Sequence, residues 1–244
     1  RLWGTVTPTA AVRLAGSHQV SALPGFEEGA LWVQDAAAAL AVKILNPQKG
    51  EEIADLCAAP GGKTLQLAAA GAKVTAVDDN PARMARVSEN LARTKLQAAL
   101  LVEDVRAHEG KYDAVLLDAP CSATGTLRRH PDLPFAKDGS GVSELIELQA
   151  QMLDAALGML KPGGRLVYCT CSLIPDEGEV QIDEALSRHK GLAVDREALN
   201  IPGIDQEWIS SEGGLRLRPD NWSDIGGMDG FYIACLKQSS ANPA

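Results

Sequence analysis

The sequence predicts an α/β fold in which a mostly parallel sheet carries helices on both faces. Three observations point there. Short apolar runs recur along the chain, segments of helical period separate them, and the runs close on Gly- or Asp-bearing turns. At 244 residues the chain fits one such domain, long enough to bury a large core and too short to hide a second of useful size.

Residues 1–30, rich in Gly, Pro and Thr with little periodicity, read as an extended lead-in segment, and residues 31–240 as the domain proper. Val33 to Leu45 (VQDAAAALAVKIL) spaces its apolar residues as a helix does, and Pro47 with Gly50 ends it. Ile53 to Cys57, Lys73 to Val77, Ala98 to Val102, Ala114 to Leu117 and Arg165 to Thr170 read as strands. Lys63 to Ala70, Pro81 to Thr94 and Val142 to Leu160 read as the helices between them. Phe231 to Lys237 (FYIACLK), after the Asp229-Gly230 turn signal, reads as a late antiparallel edge strand. In a sheet so built, ligands sit beyond the carboxyl ends of the strands.

Apolar residues make up 45% and charged residues 23%, a globular composition that argues against extensive disorder. The apolar runs are too short to cross a bilayer and no leader-like stretch opens the chain, so no membrane partner and a cytoplasmic location are expected. Five cysteines, an odd number lying among strand-like runs, read as free thiols rather than a disulfide framework. A net charge of -9 runs against a nucleic-acid partner, because phosphate binding rests on clustered Lys and Arg. Local charge is less adverse: residues 1–50 carry Arg1, Arg13, Lys43 and Lys49 against Glu27, Glu28 and Asp35, and Arg128, Arg129 and His130 form a small basic cluster.

Residues 55–64 (DLCAAPGGKT) run from a strand end through a Gly-rich turn into a helix. The glycines permit close backbone approach, and the free amides at the helix start favour an anionic group. Sixteen residues after Gly62, the next strand ends in Asp78, where an acid grips ribose hydroxyls. Glu103-Asp104 closes the third strand and offers a carboxylate to an adenine amine. A single strand-terminal Asp is more often a helix cap; acids at successive strand ends favour a nucleoside pocket. Gly62-Lys63-Thr64 also ends like a phosphate-binding loop of nucleoside triphosphatases, but that loop needs glycine where Cys57 stands, and Pro60 removes an amide.

The segments DLCAAPGGKT (55–64), DAPCSATG (118–125) and TCS (170–172), together with WVQDAAA (32–38), RRHPD (128–132) and DGF (229–231), resemble the bacterial 16S ribosomal RNA cytosine-5 methyltransferases of the Sun/Fmu family. The resemblance runs from about Leu23 to Lys237. It implies a Rossmann-like class I S-adenosylmethionine-dependent methyltransferase fold with a mostly parallel seven-stranded sheet. It implies S-adenosylmethionine as cofactor, with Cys57, Ala58, Ala59, Pro60, Gly61, Gly62 and Lys63 around its methionine portion, Asp78 on the ribose, Asp104 on the adenine edge and Asp118 between cofactor and target base. It also implies ribosomal RNA as partner, Cys171 as nucleophile and Cys121 as the residue of product release.

The chemistry explains why two cysteines are needed. Cytosine C5 is too poor a nucleophile to take a methyl group until a thiolate has added to C6, and the C5 proton must then leave before the enzyme is expelled. Asp118 is suited to hydrogen-bonding the base and stabilising charge that forms on addition. A stacked base cannot reach a strand-end thiol and must be flipped out or single-stranded, and Arg128, Arg129 and His130 are placed by sequence to meet its backbone. Cys57, Cys169 and Cys235 read as packing, and the Cys169-x-Cys171 spacing is not that of a zinc site, so no metal is expected.

Two departures stand out. Gly178 occupies the position of an asparagine in the family's Pro-x-Glu-Asn-Glu pattern, and the family's N-terminal helical RNA-binding domain is absent from this chain, which opens at Arg1 and is expected to derive from a longer one. The rival of another class is a non-catalytic RNA-binding or ribosome-assembly factor that keeps the cofactor pocket; both thiols in their motifs argue against it.

Overall fold

The computed structural model describes residues 4–136 and 138–238. Arg1 of the lead-in segment and residues 239–240 of the expected domain lie outside the described residues. The lead-in segment carries a small antiparallel hairpin of β1 (Thr5–Val6) and β2 (Val12–Arg13) rather than extended chain alone.

The first helix, α1 (Ala36–Leu45), starts three residues later than its periodicity suggests because Asp35 caps it, its carboxylate accepting from Ala37 N at 2.8 Å. Then follow β3 (Glu52–Leu56), α2 (Gly62–Ala69), β4 (Lys73–Asp78), α3 (Pro81–Thr94), β5 (Ala99–Val102) and β6 (Tyr112–Asp118). Asn80 caps α3 and Pro81 opens it, the position where a missing N–H costs nothing. A short α4 (Leu133–Ala136), a long α5 (Val142–Gly158) and β7 (Leu160–Thr170) precede α6 (Glu179–Arg188), β8 (Leu192–Val194), β9 (Leu215–Leu217) and β10 (Phe231–Gln238).

The sheet order is β5-β4-β3-β6-β7-β10-β8, with β9 also pairing β10. Seven strands thus lie on one path and a short eighth sits beside it. The first five are parallel, and β10 is antiparallel to all its neighbours. From β3 the chain winds outward through β4 and β5 on one side and through β6 and β7 on the other. The crevice between the carboxyl ends of β3 and β6 is therefore where a ligand belongs.

The expectation that Phe231 to Lys237 forms an edge is corrected. Its outer side is covered by β8 along Leu236–Gln238 and by β9 along Phe231–Ile233. Phe231 to Leu236 are all buried, the continuous apolar run of an interior strand rather than the alternation of an edge. The two short covering strands and α6 have weak patterns and escape a reading by periodicity.

Alternate residues of the central strands serve opposite faces. Ala54, Leu56, Val115, Leu117, Leu166 and Tyr168 pack with α5 and α6, while Ile53, Ala114, Leu116, Val167 and Cys169 pack with α1. Among the described residues no helix is long and apolar enough to cross a membrane, and no cluster of three or more metal-ligating side chains occurs.

Candidate active site

The Gly-rich turn leaves β3 with Cys57 at φ 61° and Gly61 at φ 105°. The latter lies in the left-handed region that glycine tolerates, and a Cβ there would also press on Val87 at 3.2 Å. Ala58 N donates to Val77 O at 3.0 Å and Ala59 N to the Asp78 carboxylate at 3.1 Å, so the turn is stitched to β4. No side chain caps α2, which leaves the amides of its first turn open to a ligand. Pro60 is exposed on the rim and Gly62 lies against Gln34.

Two polar atoms flanking this turn are buried without a hydrogen-bond partner among the described residues: Gln34 Nε2 and Asp55 Oδ1. Burial pushes the Asp55 carboxyl up to about 7, against the hydrogen bond its other oxygen accepts from Thr64 Oγ1 at 2.5 Å. Orphaned polar atoms in a native-like core point to a missing partner such as a ligand.

Asp78 is only 1% exposed in its side chain; its oxygens accept from Ala59 N and Asn80 N, and Asp79 beside it is the exposed acid of this strand end. Asp104 is 41% exposed, but its carboxylate is held by Arg106, through the guanidinium at 2.6 Å and the backbone N–H at 2.8 Å. Both contacts keep Asp104 below the usual carboxylate range.

Across the crevice Asp118 ends β6. Its Oδ2 accepts from Lys63 Nζ at 2.7 Å, and its Oδ1 accepts from the Cys169 thiol at 3.5 Å. Burial would lower the Lys63 ammonium, 10% exposed, but the Asp118 charge outweighs it and holds the amine above its usual value. Asp118 remains 30% exposed and keeps lone pairs free for a donor from solvent. Lys63 also lies over the Phe231 ring at 5.3 Å.

Register decides the next feature. Asp118 sits opposite Cys169 in the parallel β6–β7 ladder, and Ala119 N extends the ladder by donating to Cys169 O at 2.9 Å. The chains leaving the two strands therefore run side by side, and Cys121 Sγ stands 3.4 Å from Cys171 Sγ. Gly125 N donates to Cys171 O at 2.9 Å, an approach that only glycine permits, since a Cβ at 125 would lie 1.9 Å from Gly230 O.

The two sulfurs differ. The hydrogen bond between the Cys121 and Cys171 sulfurs draws the Cys171 pKa below its ordinary value against burial and the Asp118 charge, with Lys63 and Arg129 adding to the lowering. That same bond and burial push Cys121 well up. The contact thus separates the two groups, with the lower pKa at Cys171 and the higher at Cys121. Burial raises the other three thiols, Cys235 to about 12. It follows that Cys121→Ala removes the donor and raises the Cys171 pKa. The pH midpoint for alkylation of Cys171 by iodoacetamide, read by peptide mass spectrometry, should move upward, and Cys121→Ser should move it less.

Arg128 and Arg129 do not project freely. Arg129 Nε donates to Asp229 at 2.6 Å, and Arg128 bridges Asp35 at 3.1 Å and Asp229 at 3.4 Å. The loop after Cys121, the cap of α1 and the turn before β10 are thereby tied together. The guanidiniums stay about half exposed, and His130 Nε2 lies 2.9 Å from Arg129 at the surface. Gly178 also has a local reason: a Cβ there would meet Arg216 at 2.6 Å, whose guanidinium holds Glu179 and the Ser172 carbonyl.

A protein-family model described as 16S rRNA methyltransferase RsmB/F matches residues 42–237. The chain belongs to the RsmB/F methyltransferase family. It is 48% identical to ribosomal RNA small subunit methyltransferase B of Cronobacter sakazakii over 234 residues, 93% of this chain and 51% of that protein. The Erwinia tasmaniensis protein of the same name is 45% identical over the same shares. The chain therefore spans about half the length of the curated relatives it matches. Among solved structures, a methyltransferase homolog from Pyrococcus horikoshii superposes with a TM-score of 0.70 at 30% identity, covering 91% of this chain and 73% of its own. NSun6 from the same organism, solved with SFG, superposes with a TM-score of 0.77 at 26% identity, covering 93% and 57%. The Rossmann-like fold is thus that of the S-adenosylmethionine-dependent methyltransferases. Within the RsmB/F family's matched span lie the Gly-rich turn, Asp118 and both facing thiols.

Proposed function

We propose that this chain transfers a methyl group from S-adenosylmethionine to C5 of a cytosine in RNA, with 16S ribosomal RNA as the substrate. The observation that carries the reading is the facing pair of Cys121 and Cys171 sulfurs at 3.4 Å, set beside the Lys63–Asp118 pair at a nucleoside-type crevice.

The residues of the crevice fit the cofactor. The open amides at the start of α2 suit a carboxylate, the unpartnered Asp55 oxygen suits an ammonium, and the turn from Cys57 to Lys63 surrounds both. The acids at the end of β4 serve the ribose, Asp78 through the turn it shapes. Asp104, once released from Arg106, serves the adenine edge. When bound, the sulfonium supplies an electrophilic methyl group.

Cys171, as thiolate, adds to C6 of the cytosine, and the ring becomes nucleophilic at C5. Asp118, fixed by Lys63, accepts from the base amine or from the ring nitrogen once that nitrogen has taken a proton from solvent, and this protonation neutralises the charge that addition produces. After methylation the C5 proton remains. Cys121, having passed its own proton to solvent, takes the C5 proton as thiolate, directly or through water, the C6–S bond breaks, and Cys171 leaves as thiolate. The target base is flipped from its stack or already single-stranded, and Arg128, Arg129 and His130, on the loop after Cys121, meet its backbone.

The test is methyl transfer from labelled S-adenosylmethionine to 16S ribosomal RNA, with bisulfite sequencing to locate the product. Appearance of one 5-methylcytosine supports the assignment. Tight binding of ATP with none of S-adenosylmethionine overturns the cofactor, and RNA binding without transfer by a protein that binds S-adenosylmethionine supports an assembly factor instead.

A further inference from the structure

Beneath the two cysteines lies a carboxylate that neither the cofactor turn nor the handling of the base uses. Glu177 sits in the single turn Pro175–Glu177 between β7 and α6 and is fully buried. Among the described residues it has no ion pair with Lys, Arg or His. Its Oε1 accepts from Ser122 N at 2.8 Å and from Gln149 Nε2 at 3.0 Å. Its Oε2 accepts from Ser122 Oγ and from Ser172 Oγ, each at 2.5 Å.

Ser122 directly follows Cys121, and Ser172 directly follows Cys171. Gln149 also donates to Pro120 O at 2.8 Å, on the other side of Cys121. Ser172 Oγ accepts in turn from Ile174 N at 2.9 Å, and the Glu177 carbonyl accepts from Tyr168 and Thr170 of β7 at 3.0 Å each. One carboxylate is therefore the common anchor of two loops that are fifty positions apart in the chain.

A buried carboxylate without a cation is costly unless donors surround it, and here four do. Neutral packing would stabilise the same corner at lower cost, so the group is explained better by the geometry it imposes than by stability. We propose that Glu177 is a positioning residue that holds Cys121 and Cys171 in register through the serine following each, one arm serving formation of the covalent bond and the other its release. The carboxylate's field also adds to the upward push on Cys121 that keeps it a thiol.

This inference rests on the methyl-transfer reading, and a wild-type chain without transfer activity sinks that reading rather than this one. The experiment takes the full chain and the Glu177→Gln, Ser122→Ala and Ser172→Ala variants. It measures kcat and KM with RNA, the fraction of protein trapped as RNA adduct on denaturing gels, and S-adenosylmethionine affinity by calorimetry.

For Glu177→Gln, where an amide N–H faces hydroxyl donors, kcat should fall roughly ten- to hundredfold while KM and cofactor affinity change little. The serine variants should split the effect. Ser122→Ala should raise the trapped fraction, because release depends on Cys121, and Ser172→Ala should slow adduct formation without raising that fraction. Unchanged kcat in Glu177→Gln, a parallel loss of cofactor affinity and kcat, or the same phenotype from both serine variants overturns the proposal. Should Glu177→Gln fail to fold, the two serine variants decide it alone.

Discussion

Replacing Cys171 by alanine should abolish methyl transfer, by about ten-thousandfold or more, while S-adenosylmethionine affinity stays near that of the unaltered chain. A covalent catalyst without its nucleophile retains only binding and electrostatic contributions, and losses of this order are usual for such groups. Cofactor binding survives because the turn from Cys57 to Lys63 hangs on β3 and β4, through Ala58 N to Val77 O and Ala59 N to Asp78, and none of these contacts involves Cys171. The backbone at 171 also keeps its bond from Gly125 N, so the loop holds its path. Calorimetry with S-adenosylmethionine alongside a methyl-transfer assay separates the two quantities. Turnover retained within tenfold in Cys171→Ala would remove the sulfur from the mechanism.

The second large effect is expected at Cys121. Cys121→Ala should accumulate a protein–RNA adduct that survives denaturing electrophoresis, because in the proposed mechanism addition at C6 and methylation at C5 need Cys171 and the cofactor, whereas loss of the C5 proton needs the second sulfur. The adduct should form more slowly at low pH than in the unaltered chain. Cys171 without its hydrogen-bond donor has a higher pKa, and its thiolate fraction at a given lower pH is smaller. Both cysteines replaced should give no adduct, which distinguishes a bond through Cys171 from nonspecific crosslinking. Turnover at the normal rate in Cys121→Ala, with no slow-migrating band, would assign proton removal to another group.

The alternation of strands and helices was legible because each element is short, periodic and bounded by its own breakers. Asn80-Pro81 opens α3, and Gly61 turns the chain into α2. The Gly-rich turn was legible for the same reason, since its residues are consecutive in the chain. The lateral position of Phe231 to Leu236 was not. Burial on both faces is written in that run, but the strands that cover its outer side, Leu192–Val194 and Leu215–Leu217, are three residues each and carry no period to read. Arg128 and Arg129 read as open cations because their acid partners lie about a hundred positions away, at Asp229 and Asp35. Glu177 holds the first glutamate of the Pro-x-Glu-Asn-Glu pattern, but nothing in that pattern tells that it is buried while Asp176 beside it is exposed.

The sequence by itself determined the fold class, the Gly-rich turn and which two cysteines stand in motifs, because these depend on local backbone preference and on residues adjacent in the chain. Only the tertiary structure decided that the two sulfurs lie 3.4 Å apart, that one polarises the other, and that a single buried carboxylate fastens both loops. The reason is physical. Pairing between β6 and β7 is set by sheet register and by packing on both faces, so the neighbours of a strand-end side chain are chosen by the whole core rather than by the residues on either side of it.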